Sequence, residues 1–402
     1  MSFTPVKPSH SPATNAYTLM TPGPVPVPPE VLEVLAQPME HHRTPEFVAR
    51  FQRVLTGLKK IFLTDQPVFI LTATGTGGME AAIVNTISPG DRVLAIVSGK
   101  FGERWAEIAE AYGALVTRIN VPWGHAVKVK DVEDALNAHP DTVAVITQAC
   151  ETSTGVLHPV REIANLTSGR KTITMVDAIT ALGALPLPMD EWGVDVMIGG
   201  SQKAFMLPTG LAFIAFSEKA WNLAQSARTP RFYFDLRKEK AANEAGESGW
   251  STSVTHIRAL ELVLNIFLSQ GLDRVQGRIQ TLSRATIAAV QEMGLTIFPE
   301  TPSPSLSAVC MPDGIDGQKI RAEMEKNSLV VVMGGQDKLK GRIIRIGHMG
   351  AIRDKDLLKT LSALAQSLNS AKPGLIPIEK QASALHLATE ILKESPAVVM
   401  QL

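Results

Sequence analysis

Two runs decide the fold: Ile173-Thr174-Met175-Val176-Asp177 and Val194-Asp195-Val196-Met197-Ile198-Gly199-Gly200-Ser201-Gln202-Lys203. Each holds a short apolar stretch of strand length, the pattern of a strand covered on both faces in a parallel sheet. The first ends on a carboxylate. The second ends, 26 residues after that carboxylate, on an amine preceded by small residues that permit close approach to a ligand. In a parallel sheet both groups emerge at the C-terminal edge, where open α/β sheets bind their ligands. On spacing alone, Lys203 could equally be a solvated surface lysine.

Outward from these runs, β-rich stretches at 67–72, 92–97, 114–119, 142–147 and 211–216 alternate with helical patterns at 101–112, 132–138 and 160–167. Together with 171–176 and 194–198 they predict a mostly parallel seven-stranded sheet flanked by helices, an α/β fold. Phe47, Phe51, Val54, Leu55, Leu58 and Phe62 form a helical stripe that Thr44 would cap and Pro45 would start. From about Thr255 the pattern turns to long helices. A smaller α+β unit follows, with strands at 306–311, 329–333 and 342–346 and helices at 317–327 and 354–368. The expected division is an N-terminal arm over 1–20, a large domain over 21–270, a small C-terminal domain over 271–370 and an extension over 371–402. In the extension an amphipathic stretch at 385–392 would dock on a neighbour or be loosely held. The proline-rich stretch 22–29 suggests an extended arm.

The 402 residues suffice for two to three domains, and 45% hydrophobic against 19% charged residues with mean hydropathy +0.09 is a folded profile. The 39 basic and 39 acidic side chains cancel, so no net basic field exists to attract nucleic acid or anionic lipid. No stretch of 18 apolar residues escapes interruption by charge, and residues 1–15 contain no apolar signal core, so a soluble cytoplasmic protein is expected. Cys150 and Cys310 lie in apolar runs and read as free thiols. His41, His42 and His348 lack metal-ligand spacing, and no metal site is expected.

Gly75-Thr76-Gly77-Gly78 follows one predicted strand and opens a helix, so its N–H groups would face an anion. A dinucleotide fingerprint needs glycine where Glu80 stands, and a phosphate-binding loop of the nucleotide kind needs a following Gly-Lys-Ser/Thr; both are missing. A tight turn would need these glycines regardless. An amine, a carboxylate and a phosphate cradle on one sheet edge match the requirements of pyridoxal 5′-phosphate.

The motifs Thr21-Pro22-Gly23-Pro24, His42-Arg43-Thr44-Pro45-Glu46-Phe47, Thr74-Gly75-Thr76-Gly77-Gly78-Met79-Glu80, Glu151-Thr152-Ser153-Thr154-Gly155, Val176-Asp177 and Gly200-Ser201-Gln202-Lys203 occur in this order. The chain resembles the class V aminotransferases of pyridoxal phosphate fold type I from about Leu19 to about Ala363. It is most similar to the alanine/serine–glyoxylate branch, which includes relatives labelled as a soluble hydrogenase small subunit. The resemblance makes Lys203 the Schiff-base lysine and Asp177 the partner of the pyridine nitrogen. It gives Gly75, Thr76, Gly77 and Gln202 to the phosphate, and Ser253 to the phosphate of a neighbouring subunit in a homodimer. Phe101 and Ile179 would cover the two faces of the ring, Thr152 would lie near the phenolic oxygen, and Arg345 would grip the substrate carboxylate, a planar anion suited to a guanidinium fork.

What the resemblance implies is amino transfer from a small amino acid, of the serine or alanine type, to glyoxylate or another small 2-oxo acid, with ping-pong kinetics. Two departures stand out: Trp250 replaces the tyrosine of some relatives near the phosphate, and Phe101 stands where alanine-preferring relatives carry tryptophan. One alternative is a lyase or cysteine desulfurase, which needs a thiol on a mobile loop where Cys310 reads as strand-bound. The other is a non-catalytic subunit of a redox complex, for which a two-cysteine chain offers no iron–sulfur ligand set.

Overall fold

The computed structural model describes residues 17–395. Seven strands form its large sheet: β1 (Val68–Leu71), β2 (Arg92–Val97), β3 (Leu115–Asn120), β4 (Thr142–Gln148), β5 (Ile173–Asp177), β6 (Val196–Gly200) and β7 (Ala212–Phe216). Their order is β1-β7-β6-β5-β4-β2-β3, and β7 alone runs antiparallel to its neighbours. Side chains alternate between faces along each strand, and here both faces are dry. Val68, Ile70, Val176, Met197 and Phe213 enter one core; Phe69, Leu71, Met175, Ile198 and Ile214 enter the other.

Helices close both faces. On the first lie α1 (Pro45–Phe62), through Phe47, Phe51 and Leu58, and the later helix Val254–Gln270, through Ile257, Leu260 and Leu264. Thr44 caps α1 as its sequence suggests, its hydroxyl accepting from the Phe47 N–H at 3.3 Å. On the second face lie α2 (Gly75–Thr86), with Met79 and Ile83, and α3 (Lys100–Ala111), with Trp105. Burying each such side chain stabilises the fold by roughly 1.5–3 kcal/mol.

α4 (Leu272–Glu292) straddles two cores, with Val275 and Ile279 in the first and Leu282, Ala285 and Ala289 in that of the small lobe. The small lobe adds a three-stranded antiparallel sheet, β8 (Leu306–Cys310), β9 (Met333–Gly334) and β10 (Ile343–Gly347), in the order β8-β10-β9, and the helix α5 (Asp354–Ala371). After Pro377, α6 (Ile378–Lys393) presents Ala384, Ala388 and Leu392 at helical spacing to this lobe's own core. The amphipathic stretch of the extension is therefore docked within the chain. Of the N-terminal arm, residues 1–16 lie outside the described residues. Its end, Thr18–Leu19, pairs in parallel with Val330–Val331 of the small lobe, and the Met20 carbonyl accepts from the Gly347 N–H at 2.8 Å.

Four α-helices of the described residues escaped the sequence reading: the single turn Met189–Trp192, and Pro29–Leu35, Glu218–Ser226 and Leu236–Glu244. The last two carried a local signal, since Ser217 and Asp235 each accept from a backbone N–H of the first turn. Among the described residues no helix is long and apolar enough to cross a membrane.

His158 staples the loop after β3 to the sheet. Its Nδ1 accepts from the Val127 N–H at 3.2 Å, so Nε2 carries the proton and donates to Ser98 Oγ at 2.7 Å. Burial pushes the His158 imidazole down to about 4, and that of the equally buried His348 likewise. The unfolded chain then binds more protons than the folded one between about pH 6.5 and 4, so stability is full above that window and falls on acidification. At pH 5 the loss is roughly 2 kcal/mol per imidazole. Urea midpoints measured from pH 7.5 to 5 should show this decline, and it should become shallower in His158→Gln.

Candidate active site

The site is assembled where β1, β2, β4, β5 and β6 deliver the chain to their C-terminal edge. Asp177 is the last residue of β5 and is buried; its Oδ1 accepts from the Ile179 N–H at 2.9 Å. Burial raises its carboxyl to about 7, partly offset by that bond and by the charges of Lys203 and Arg104. A buried carboxylate so placed favours a protonated nitrogen beside it.

Lys203 follows β6 in the turn Ser201–Phe205 and is 8% exposed. Burial, and to a lesser extent the Arg345 charge, brings its ammonium down to about 8. Nζ donates to the Pro22 carbonyl at 2.6 Å. This contact dictates the neighbouring residue, because a Cβ on Gly23 would sit 2.5 Å from Nζ, and Gly23 has φ +133°. Pro22 and Gly23 stood in a quoted motif, but only the fold shows that they hold the lysine.

Gly75, Thr76 and Gly77 form the first turn of α2, where free N–H groups and the helix dipole face outward. No side chain caps that turn. Ile179 lies against it so closely that a Cβ on Gly75 would meet Ile179 Cδ1 at 2.4 Å. The same side chain would lie 3.1 Å from a Cβ on Gly200, whose other neighbour is Gln202 Oε1. That amide oxygen is buried without a hydrogen-bond partner. Ile179 therefore joins the glycine turn to the Gly200-Ser201-Gln202 segment.

Phe101 is the second residue of α3, and its position is set by a residue whose role the sequence reading did not see. Glu151 is completely buried and accepts from the Phe101 N–H at 3.1 Å, the Gly102 N–H at 3.0 Å, the Ser153 N–H at 3.1 Å and Ser153 Oγ at 2.5 Å. Its carboxyl is raised, because burial outweighs these donors. Thr152, the next residue, shares a 2.6 Å hydrogen bond with Thr180 through their hydroxyls.

Arg345 comes from the small lobe, in the middle of β10. Its Nε donates to the Gly334 carbonyl at 3.0 Å and its Nη1 to the Thr152 carbonyl at 2.8 Å, so the guanidinium spans both lobes. It is buried, and it makes no ion pair with a carboxylate among the described residues. Desolvation lowers it to about 10, which leaves it cationic at neutral pH. A second tie lies nearby. Lys100, at the start of α3, pairs with Asp337 of the small lobe at 2.7 Å and with Glu103 at 2.9 Å, and Lys338 lies 4.3 Å from the centre of the Trp123 ring.

Ser253 is the residue that this chain does not bring to the cradle. Its hydroxyl is bonded to His256 Nδ1 at 2.7 Å, and no hydrogen bond links it to Gly75, Thr76 or Gln202. Trp250 stacks with Tyr233 and donates from its indole to the Tyr233 carbonyl at 2.9 Å. Cys150 and Cys310 are free thiols, the first fully buried. Among the described residues no cluster of His, Cys, Asp and Glu is placed to hold a metal.

Comparison with known proteins is consistent with this geometry. The family model described as Aminotransferase class-V matches residues 23–350. A soluble hydrogenase small subunit of Synechococcus sp. (strain PCC 6716) is 40% identical over 86% of this chain and 91% of its own length. An L-aspartate–glyoxylate aminotransferase of Paracoccus denitrificans (strain Pd 1222) is 35% identical over 85% and 88%. Among solved structures, the ureidoglycine–glyoxylate aminotransferase of Bacillus subtilis superposes with a TM-score of 0.90 at 29% identity, over 96% of this chain and all of that one.

The close approach at Gly23 gives a direct test. In Gly23→Ala the new methyl group must displace Lys203 Nζ, and the backbone there is strained for any L side chain. Amino transfer should fall by at least about tenfold, with a stability loss of roughly 1–3 kcal/mol read by urea titration.

Proposed function

Because the chain belongs to the class-V aminotransferase family, we propose that it is a pyridoxal-phosphate-dependent transaminase that transfers the amino group of a small amino acid to glyoxylate or another small 2-oxo acid. The reading includes a donor of the serine or alanine type, a ping-pong order, a homodimer and a cytoplasmic location. The observation that carries it is the convergence, on one sheet edge, of a buried amine, a buried carboxylate and an uncapped glycine-rich helix start.

The residues fit the cofactor. Lys203 offers the amine that its aldehyde requires, Asp177 a carboxylate that stabilises a protonated ring nitrogen, and Gly75, Thr76 and Gly77 the N–H groups that a phosphate requires. The NH₂ group of Gln202, whose amide oxygen is buried without a partner, would add a donor at the same place. Phe101 and Ile179 would cover the ring, with Thr152 beside its oxygen substituent. Pyridoxal 5′-phosphate would supply an aldehyde that accepts amino groups and a ring that delocalises the electron pair left when the donor's Cα–H bond breaks.

The chain's own groups do the rest. Arg345 binds the donor carboxylate and fixes the orientation of its Cα before any bond changes. Asp177 keeps the ring nitrogen protonated, an electrostatic contribution that grows as charge develops in the transition state. The free Lys203 amine takes the proton from the donor's Cα and, as an ammonium, would deliver it to the carbon that had been the cofactor's aldehyde carbon. With its ammonium lowered to about 8, it can act as base and acid near neutral pH. The oxo acid product leaves before the acceptor enters, which gives the ping-pong order.

A second copy of the chain belongs to the same reading, because the resemblance gives Ser253 to a neighbouring subunit's phosphate and its hydroxyl is bonded to His256 rather than to its own glycine turn. A desulfurase is less well supported: burial pushes the Cys150 thiol up to about 12, far from a nucleophile's range, and Cys310 ends strand β8. The donor class rests on the alanine/serine–glyoxylate branch that the motifs resemble; the aspartate in the name of the Paracoccus protein makes aspartate the competing donor. The test mixes cofactor-loaded protein with L-serine, L-alanine and L-aspartate separately and follows the loss of cofactor absorbance in a single turnover. Serine or alanine should react faster than aspartate, and Lys203→Ala should lose at least about 10³-fold with its fold intact by circular dichroism. Faster reaction with aspartate would overturn the donor class, and near-normal turnover in Lys203→Ala would overturn the mechanism.

A further inference from the structure

Arg104 is half-buried on α3, one turn beyond Phe101, and none of the observations so far gives its charge a counterpart. Its Nη1 donates to Thr76 Oγ1 at 3.3 Å, and its guanidinium carbon lies 4.9 Å from the centre of the Phe101 ring. Among the described residues it makes no ion pair with a carboxylate, although α3 carries Glu103, Glu107 and Glu110 and the adjacent cations Lys100 and Arg118 are paired with Glu103 and Glu110. The single bond to Thr76 leaves the rest of the guanidinium's five N–H donors free for an anion. Arg345 is the other arginine of this site without a carboxylate, and there the counterpart is a substrate carboxylate under the reading above.

The hydrogen bond to Thr76 has a direction. A guanidinium only donates, so Thr76 Oγ1 is the acceptor and its own O–H proton is left to point elsewhere. Thr76 is also the second residue of the helix turn whose N–H groups face outward. The arginine thus does two things at once: it orients a hydroxyl donor beside those N–H groups, and it adds a full positive charge to the partial charge of the helix start. At the sheet edge the same charge is a minor influence that lowers the Asp177 carboxyl against its burial.

We propose that Arg104 is the cationic positioning residue of the phosphate cradle, acting through Thr76 to set the affinity and selectivity for a phosphorylated ligand over its unphosphorylated counterpart. The proposal rests on the cofactor reading above and adds a residue that the sequence motifs did not single out. It assigns to Arg104 no contact with the reacting atoms. Phe101 shares in the arrangement, because its ring supports the guanidinium and fixes its distance from α2.

The test compares binding of pyridoxal 5′-phosphate and of pyridoxal to cofactor-free protein by quenching of tryptophan fluorescence, in wild type, Arg104→Gln and Arg104→Lys. Wild type should bind the phosphorylated form the more tightly. Arg104→Gln should weaken pyridoxal 5′-phosphate by about tenfold or more, leave pyridoxal within about twofold, and leave the melting temperature of the cofactor-free protein unchanged. Arg104→Lys should recover part of the loss, keeping the charge without the planar fork. Inorganic phosphate should compete with pyridoxal 5′-phosphate in wild type and less so in Arg104→Gln. Equal weakening of both ligands, or no weakening of either, would overturn the role given to Arg104. If wild type itself failed to prefer the phosphorylated ligand, the cradle reading would fall first, and the two failures are thereby distinguished.

Discussion

The hydrogen bond from Lys203 Nζ to the Pro22 carbonyl, in surroundings that exclude bulk water, is the contact on which the rest of the site depends. Desolvation makes the amine a weaker base than an ordinary lysine, and the carbonyl fixes where it sits. Both effects need the sheet edge closed from above. Closure is supplied by the N-terminal segment, which pairs with the small lobe at Thr18–Leu19 and passes over the lysine at Pro22 and Gly23. A residue nearly two hundred positions upstream thus sets the environment of the amine.

The same economy of contacts joins the lobes. Arg345 rests on carbonyls from both, Gly334 in the small lobe and Thr152 in the large one, and Lys100 reaches across to Asp337 only three residues from Gly334. Lys100 also starts the helix that carries Phe101, whose N-terminus is held from beneath by Glu151. Arg345 and Phe101 are therefore positioned by one small-lobe loop and one buried acid. The Lys100–Asp337 pair is half-exposed and contributes little to stability; its effect is on geometry.

Much of the sheet was legible in the sequence, because strands buried on both faces must be apolar throughout and the turns between them carry glycine and proline. The 26-residue spacing from Asp177 to Lys203 could be read for the same reason, since each group ends an apolar run. The resemblance to a family supplied roles for Arg345 and Ser253 that no local pattern gives. What was not legible depends on pairing through space. Glu151 reads as one acid in a polar motif until the fold places it under four donors. Arg104 reads as one more charge on an amphipathic helix until α3 lies beside α2. The stretch 385–392 read as amphipathic, but not where it docks: the face that Ile378–Lys393 buries is mostly alanine, a weak hydrophobic signal that names no partner.

The account's central claim is that Lys203 is the residue through which the cofactor is bound. It is tested most directly by saturating the protein with pyridoxal 5′-phosphate, reducing with borohydride and mapping the modified peptide by mass spectrometry. The account predicts one stable adduct per chain, on the peptide containing Lys203. An unmodified Lys203 peptide in saturated protein, or an adduct confined to another lysine, would contradict it.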